Sequence, residues 1–488
     1  MQVIHKAIRA FAETVALNKG RAFFVGGSVR DEMLNAPIKD IDIEVHGISP
    51  RALRKIIESH FANVEEVGAA FGVLHTTMED VEVDISLPRR DSKIGQGHKG
   101  FAVDVDPLLS PKEALRRRDF TINAMLKDVL SDEIVDPFGG RDDLRARILR
   151  PVDFATFVED PLRVLRAVQL TARFNLAVSD DVKALLRSMV PALQELSRDR
   201  HRDEWRKLFL KAHTPSRGLE LARLIGVFDA LPIVAAMKAT PQEPEWHPEG
   251  DVWIHTGMVC DVAAKLCKRE RLEGALRLVI MLSAFCHDLG KPETTQMIKG
   301  RIRSHQHSHV GIRHVRDVLE FFGMESLRDT VEPLVAYHLT PYDLYHQQVS
   351  DSPPGDGAIF SLARRVHPAT IDHLLLVAEA DMLGRGPFLD DFAKSERHAA
   401  LDWLGDRACT LDVRDRRPPD VIRGNDLLAL GMKPGPHFGK IVRAANLWHD
   451  CAHVQKAEIF DRIKTLAKTA SDDTDWEQLL TDVSGVSR

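Results

Sequence analysis

Two aspartates on one face of an extended segment are the first residues in this chain whose spacing implies chemistry. Asp40-Ile41-Asp42-Ile43 alternates acid and apolar side chains. On a strand, residues two apart share a face, so the carboxylates project side by side while the isoleucines face a core. Carboxylates a few ångströms apart repel unless something divalent lies between them. An all-oxygen set suits Mg2+, which also bridges nucleotide phosphates. Upstream, the short apolar strand Ala22–Val25 runs into Gly26-Gly27, and Ser28–Asn35 reads as a helix carrying Arg30. Two residues without a Cβ let backbone N–H groups approach a phosphate at the start of that helix, and Arg30 is placed to reach the same triphosphate. An isolated D-x-D strand is more often a solvated edge. Asp84, on a second alternating strand at Val81–Leu87, is a candidate third carboxylate; a solvent-facing acid beside Glu82 is its plainer reading.

A second set lies far downstream: His255, then His287-Asp288-Leu289-Gly290-Lys291, then His307, and finally Asp381 within Glu379-Ala380-Asp381. Imidazoles and carboxylates drawn from several helices make a mixed nitrogen and oxygen metal site. Such a set favours Mg2+, Mn2+, Ni2+ or Fe2+ in octahedral geometry over tetrahedral Zn2+. A lone His-Asp pair is more often a capped helix or a core histidine.

The elements that must carry these residues come in two styles. Residues 21–150 mix strands and helices, whereas from Pro161 onward the apolar spacing is helical, as in Leu162, Leu165 and Val168 and again over 251–400. Pro241, Pro244 and Pro248 punctuate a Glu-, Gln- and His-rich stretch that reads as a linker. At 488 residues the chain has room for roughly three domains of ~150. A composition 44% hydrophobic and 28% charged excludes a disordered or fibrous chain. The uncharged run Leu278–Cys286 falls well short of the ~20 apolar residues that span a bilayer. The first twenty residues space Ile8, Phe11 and Val15 along one helix face and lack the apolar core of a signal peptide. Five cysteines without a CxxC pair argue against disulfides and thiolate zinc, which points to a cytoplasmic protein without a disulfide partner. A net charge of −6 excludes bulk adsorption to nucleic acid, so a polyanion would have to meet a local basic surface such as residues 141–217.

Strand, Gly-Gly, Arg-bearing helix and D-x-D strand, in that order, resemble the signature of the nucleotidyltransferase superfamily. Further segments narrow the resemblance to the tRNA nucleotidyltransferase and bacterial poly(A) polymerase family. Arg117-Arg118-Asp119-Phe120-Thr121-Ile122-Asn123-Ala124 is similar to its second motif and Asp136-Pro137-Phe138-Gly139-Gly140 to its third. Glu159-Asp160-Pro161-Leu162-Arg163-Val164-Leu165-Arg166 is similar to its fourth, and Ser197–Glu204 to a diverged fifth. The resemblance implies that Asp40 and Asp42 hold the catalytic Mg2+, that Gly26, Gly27, Arg30 and Arg118 contact the nucleotide, and that Asp160, Arg163 and Arg166 form a base-reading helix. Physically, Asp160 and Arg163 lie three apart on one helix face and present an acceptor beside a donor. Cytosine and adenine each show an amino donor beside a ring-nitrogen acceptor; uracil and guanine show the reverse. One pair could therefore accept C and A and reject U and G. The sequence departs from the family pattern at Gln169, where Arg is frequent, and at Asp199 and His201 in the fifth motif.

The second set resembles the HD phosphohydrolase superfamily. That resemblance implies that His255, His287, Asp288 and Asp381 ligate a divalent metal, with Lys291 offsetting charge that develops on a phosphate. His305, His307, His309 and His338 are then candidates for a second metal or for phosphate contacts, His307 first among them. A nucleotidyltransferase followed by an HD domain is similar to the bacterial multifunctional CCA-adding enzymes. The resemblance implies tRNA, CTP and ATP as partners and a phosphohydrolase that acts on 2′,3′-cyclic, 2′- or 3′-phosphates at RNA ends. The expected fold is α+β: a mixed-sheet head over 1–150, an all-α neck over 151–240, an all-α HD domain over 241–400 and a small helical tail over 401–488, with no membrane contact and room for a homodimer. The rivals are a poly(A) polymerase, a partial enzyme adding only CC or only A, and an HD phosphohydrolase whose N-terminal half merely binds RNA. The loop at Pro88–Phe101 would bear on the partial enzymes, and the acidic tail Ser471–Arg488 speaks against a poly(A) polymerase.

Overall fold

The computed structural model describes residues 2–467 except 37–39, 63, 68–72, 79–80, 94–100, 352, 387–395 and 436, so the centre of the Pro88–Phe101 loop and the tail Ser471–Arg488 lie outside the described residues. The chain forms two compact units, Met1–Val227 and Phe228–Arg488. The class is α+β, as the sequence implies. Among the described residues no helix is long and apolar enough to cross a membrane.

The first unit is built on a seven-stranded sheet of order β3-β4-β5-β2-β1-β8-β9. Its strands are β1 (Arg21–Val25), β2 (Asp40–His46), β3 (Glu65–Val67), β4 (Val73–Met78), β5 (Val81–Ser86), β8 (Leu126–Asp128) and β9 (Ile134–Val135). β6 (Arg89–Lys93) and β7 (Phe101–Val105) form a separate antiparallel hairpin. Among the described strands only β2 and β5 pair in parallel, in a register that sets Asp40 opposite Glu82 and Asp42 opposite Asp84. The register is held from the other face. Ile41, Ile43, Val83 and Ile85 are buried beside Ile8, Phe11, Val15 and Ile57 from the helices Gln2–Leu17 and Pro50–His60. A slip of one residue would turn those isoleucines to solvent. Past Asp42 the alternation stops, because Glu44 and His46 are buried as well. Each has a partner: His46 lies 3.1 Å from Glu44 through Nε2 and 3.0 Å from the Leu109 carbonyl through Nδ1.

Behind the sheet follow the helices Leu162–Phe174, Arg198–Lys211 and Pro215–Leu224, the first packed on both others.

In the second unit Asp251 caps the helix Val252–Arg269 by accepting the Ile254 N–H at 2.9 Å, which sets His255 one turn in, on the buried side. The uncharged run Leu278–Cys286 is wholly buried and ends the helix Gly274–Cys286 with His287 and Asp288 in the core. The sequence reads as helical across this region, yet β10 (Thr295–Ile298) and β11 (Arg301–Ser304) make a hairpin. Lys299 and Gly300 both take positive φ, 51° and 77°. Two central residues of that kind make the turn that matches the strand twist of a tight hairpin. Toward the C-terminus, Ile422, Leu427, Ile441, Trp448 and Ile459 form their own cluster. Arg364, on the helix Asp356–Val366, ties it to the HD helices through Asp420 at 2.6 Å and through Asp450.

Gly290 fixes the approach between the His287-Asp288 turn and the helix His307–Phe322, since a Cβ there would stand 2.0 Å from the His307 carbonyl oxygen. A Gly290→Ala chain is expected to lose about 1–3 kcal/mol of stability by overpacking. Urea unfolding should show the loss, and an unchanged midpoint would mean that this contact yields at no cost.

Candidate functional site

On β2, Asp42 is half-buried and Asp40 exposed, with the half-exposed side chain of Asp84 beside Asp42 in register. Burial pushes the Asp42 carboxyl above its ordinary range; Arg118 pulls the other way, and Asp84 and Asp40 add to the rise. A carboxylate held up by burial and by two like charges favours a cation between them. Asp84 has a partner of its own, His75 Nδ1 at 2.7 Å. Gly26 takes φ 71°, and a Cβ there would lie 2.7 Å from Nη1 of Arg118. Arg118 in turn stands among Asp42, Glu44 and Asp119, and its buried Nε has no hydrogen-bond partner.

The other nucleotide-directed residues are distributed less simply than the motifs suggest. Arg30 is 5% exposed, donates to the Asn123 side-chain oxygen, pairs with Asp31 at 2.7 Å and stacks over the Phe174 ring at 4.4 Å. It is fastened inside the unit rather than free to swing toward a phosphate. Asp160 and Arg163 are not paired with each other. Asp160 accepts from Arg200 at 3.1 Å and caps the Leu162 N–H, while Arg163 donates to the carbonyls of Arg117 at 2.6 Å and Thr156 at 2.9 Å. Arg166 donates to Asp119 at 2.5 Å. Next to the departure at Gln169, Arg173 reaches the Gln169 side chain at 3.4 Å; burial and neighbouring Arg30 push it down to about 10. The basic run from Arg145 to Lys211 is largely engaged internally, for example Arg150 with Asp143 and Arg202 with Asp199.

In the second unit the sequence-predicted ligands do converge. His255 Nε2 lies 3.0 Å from Asp381 and 3.3 Å from His287 Nε2, and His287 Nε2 lies 3.1 Å from Asp288 Oδ2. His307 Nε2 faces the other oxygen, Asp288 Oδ1, at 3.2 Å. Asp288, His307 and His338 form a second cluster able to hold an ion. The tautomers follow from the remaining nitrogens. His287, His307 and His338 each direct Nδ1 at the carbonyl three residues back, Ala284, Ser304 and Val335, all at 2.8 Å. A carbonyl only accepts, so Nδ1 carries the proton and Nε2 presents a lone pair. His255 Nδ1 lies 2.8 Å from the buried Glu249 carboxylate. Lone pairs thus face carboxylates, and Asp288 Oδ1, His307 Nε2 and His338 Nε2 are buried without a hydrogen bond. Such a donor set fits a divalent cation. Burial would push the His255 imidazole down, but Asp381 and Glu249 outweigh it and hold it above its ordinary range, while burial beside His287 and His307 pushes His338 down to about 3. Lys291 Nζ stands 2.7 Å from Asp288 and from Gln242. His305 and His309 join neither ion-holding cluster among the described residues.

Residues 22–150 match the family described as Poly A polymerase head domain, 175–238 the one described as Probable RNA and SrmB- binding site of polymerase A, and 252–385 the HD domain. The multifunctional CCA protein of Nitrosococcus oceani is 34% identical over 373 residues, covering 74% of this chain and 84% of that protein. Its counterpart in Xylella fastidiosa is 33% identical over 415 residues, covering 82% and 92%. The chain belongs to the multifunctional CCA protein family. Its fold is also that of the Bacillus stearothermophilus CCA-adding enzyme solved in complex with CTP, at 21% identity and TM-score 0.60 over 95% of this chain and 99% of that one. The Thermotoga maritima CCA-adding enzyme complexed with tRNA gives 17% identity and TM-score 0.52 over 95% and 94%. Heads of this kind and HD domains generally use divalent metals.

Two groups of residues in this multifunctional CCA family member escape a reading by motif. The stretch around Pro241, Pro244 and Pro248 is no linker: Gln242 and Glu249 reach Lys291 and His255, and Glu243 accepts the Ile302 N–H at 2.9 Å. Its prolines shape a loop whose polar side chains are spent on the metal-type cluster, and polar composition alone does not separate that from solvation. The other is the hub at Asp119, 7% exposed, which accepts from Arg166, Asn123 and the Phe120 N–H. A signal existed here, since Asp119 and Asn123 lie inside a motif already singled out.

Burial would push the Asp119 carboxyl up; Arg166, Asn123 and Phe120 together outweigh it and hold it below the ordinary carboxylate range. Its contribution to stability is therefore complete above its unfolded value of about 3.9 and is lost as pH falls through the lower folded value. Asp119→Asn is expected to cost about 3 kcal/mol at pH 7, the loss typical of stranding a buried charge, with the deficit shrinking below about pH 4. Hydrogen exchange in the helix Leu162–Phe174 across that range tests this, and a deficit independent of pH would show that packing, not charge, is lost.

Proposed function

We propose that this chain adds C, C and A to the 3′ end of tRNA, using CTP and ATP and releasing pyrophosphate, and that its HD domain hydrolyses 2′,3′-cyclic, 2′- or 3′-phosphates at RNA ends. The observation that carries the first activity is the Asp40 and Asp42 pair held in register beside Asp84. The RNA 3′-oxygen attacks the α-phosphorus, its proton is lost, and the bond to pyrophosphate breaks. Asp40 and Asp42 would hold Mg2+, and Asp84 offers a third acceptor once it releases His75. Arg118, with an unpartnered Nε beside Gly26, takes phosphate oxygens, while the two glycines leave room for the chain of phosphates. Arg30, being buried, acts from behind as a positioning residue through Asn123. Arg166, held by Asp119, fixes the helix from which Asp160 and Arg163 read the base. Asp160 exchanges Arg200 for an amino group, and Arg163 gives up a carbonyl for a ring nitrogen.

At the HD site His255, His287, Asp288 and Asp381 would hold one divalent cation, Mg2+, Mn2+, Ni2+ or Fe2+, and His307 and His338 face a second position across Asp288. Divalent cations at these places would supply Lewis acidity toward the phosphate and lower the pKa of the attacking oxygen. Lys291 stands ready to offset charge on the ester. The two activities belong together chemically, since the transferase needs a free 3′-hydroxyl and a phosphatase can make one. The free thiols of Cys260, Cys267, Cys286 and Cys409 fit a reducing cytoplasm.

Extension of tRNA trimmed to its discriminator base, with CTP alone, ATP alone and all four nucleotides, should yield C-C-A and stop. Asp42→Asn should slow that extension on the order of 10³-fold, the scale of several kcal/mol of metal-assisted stabilisation, and spare phosphate-ester hydrolysis. An A tract would establish a poly(A) polymerase, C-C or A alone a partial enzyme, and loss of both activities would contradict independent sites. Separately, Mn2+ or Ni2+ at 100 times its dissociation constant should stabilise the chain by about 2.7 kcal/mol. That gain should vanish in His287→Ala; a melting curve indifferent to metal would overturn the HD assignment.

A further inference from the structure

The cavity at the HD centre is larger than a phosphate ester alone requires, and its wall is of two kinds. It measures about 430 Å3, within the range that encloses a ligand of mononucleotide size. It is lined by the metal-type cluster of Asp288, Asp381, His307 and His338, by the cationic side chains of Lys291, Arg303 and Arg385, and by Trp246 and Ile302. Trp246 is 41% exposed. An indole lining the same cavity as three cationic side chains and a metal-type cluster suits a ligand with a phosphate at one end and a flat ring at the other.

The loop that carries the indole is held in place. The Trp246 main-chain N–H donates to the Glu243 carbonyl at 3.0 Å. The Glu243 carboxylate accepts the Ile302 N–H at 2.9 Å, and Glu245 pairs with Arg301 at 2.9 Å. The loop carrying Trp246 is thus clamped to β11, the hairpin strand on the other side of the mouth. Gln242 completes the brace by accepting from Lys291 at 2.7 Å and donating to the Gly250 carbonyl at 3.2 Å. A wall fixed on both sides presents its ring without an ordering cost at binding.

We propose that Trp246 is a base-stacking platform of the HD site, so that the site takes the phosphate of a nucleotide whose base lies on the indole, with Arg303 beside the ribose-phosphate. This rests on the phosphohydrolase reading of that site and narrows it to nucleotide ends rather than small phosphate esters at large. Any base has a π-face, so the platform accepts an RNA end whatever its last nucleotide.

The test compares 2′,3′-cyclic AMP with methyl riboside 2,3-cyclic phosphate, which carries the same reacting group and no base, on the full metal-loaded chain. The ratio of kcat/KM for the two should favour the nucleotide. It should fall roughly tenfold in Trp246→Ala, the scale of one stacked base, and recover largely in Trp246→Phe. A ratio unchanged by Trp246→Ala overturns the platform, as does a loss that Phe does not restore. If the wild-type chain hydrolyses neither compound, the phosphohydrolase reading fails. Equilibrium dialysis of 3′-AMP against wild type and Trp246→Ala then decides the platform alone, and equal retention overturns it.

Discussion

Groups that can only accept hydrogen bonds are packed against one another at two places in this chain, and much of the surrounding structure exists to keep them there. On β2, Asp40 and Asp42 stand beside Asp84 because the parallel register with β5 sets them level. That register is enforced from behind by Ile41, Ile43, Val83 and Ile85 in the core. In the HD domain, His287, His307 and His338 spend Nδ1 on the carbonyl three residues back, and the Nε2 of His307 and of His338 is left bare beside Asp288. Burial and the like charges of Asp84 and Asp40 hold the Asp42 carboxyl above its ordinary range, a state that a cation would relieve, whereas in the HD domain His287 and Lys291 already outweigh burial and stabilise the Asp288 carboxylate.

The chemistry was more legible than the scaffold that aims it. Asp40 and Asp42 follow from period-two alternation, and the HD ligands from residue type and order, because metal-binding side chains are few and their grouping is conspicuous. What periodicity could not supply was pairing. Glu44 and His46 have the parity of Asp40 and Asp42 and so read as solvent-facing, yet both are buried because each satisfies the other. The β10–β11 hairpin was hidden because its strands are four residues long, although Lys299-Gly300 carries the turn signal. Asp160 and Arg163 read as an acceptor beside a donor on one helix face, and spacing could not show that each takes a partner from elsewhere. Arg200, forty residues away, is nearer to Asp160 than helix spacing can reveal.

The stretch from Pro241 to Gly250 shows why composition misleads next to a metal-type site. Prolines and polar residues describe a linker only if their polar groups meet water. Here Glu249 and His247 sit against His255, and burial pushes His247 down to about 4 while its hydrogen bond to Glu249 opposes the fall. A buried carboxylate that orients an imidazole looks, in sequence, like any acid in a loop. Its difference lies in what the fold brings to it.

The two residues proposed to read the base, Asp160 and Arg163, both have protein partners in this structure. Asp160 holds Arg200, and Arg163 holds two main-chain carbonyls. A base that offers an amino donor and a ring acceptor can replace those partners group for group, so little hydrogen bonding is lost on exchange. A base with the reverse pattern would displace Arg200 and the carbonyls and give nothing back, leaving charged groups unpaired in a partly buried place, at a cost near 1.5–3 kcal/mol for each bond to a charge. Under the proposed reading, selectivity would come from what the wrong base breaks. That mechanism needs Arg200 and the Arg117 carbonyl as much as it needs Asp160 and Arg163, which explains why the second, fourth and fifth motifs, distant in sequence, meet at one end of the helix Leu162–Phe174.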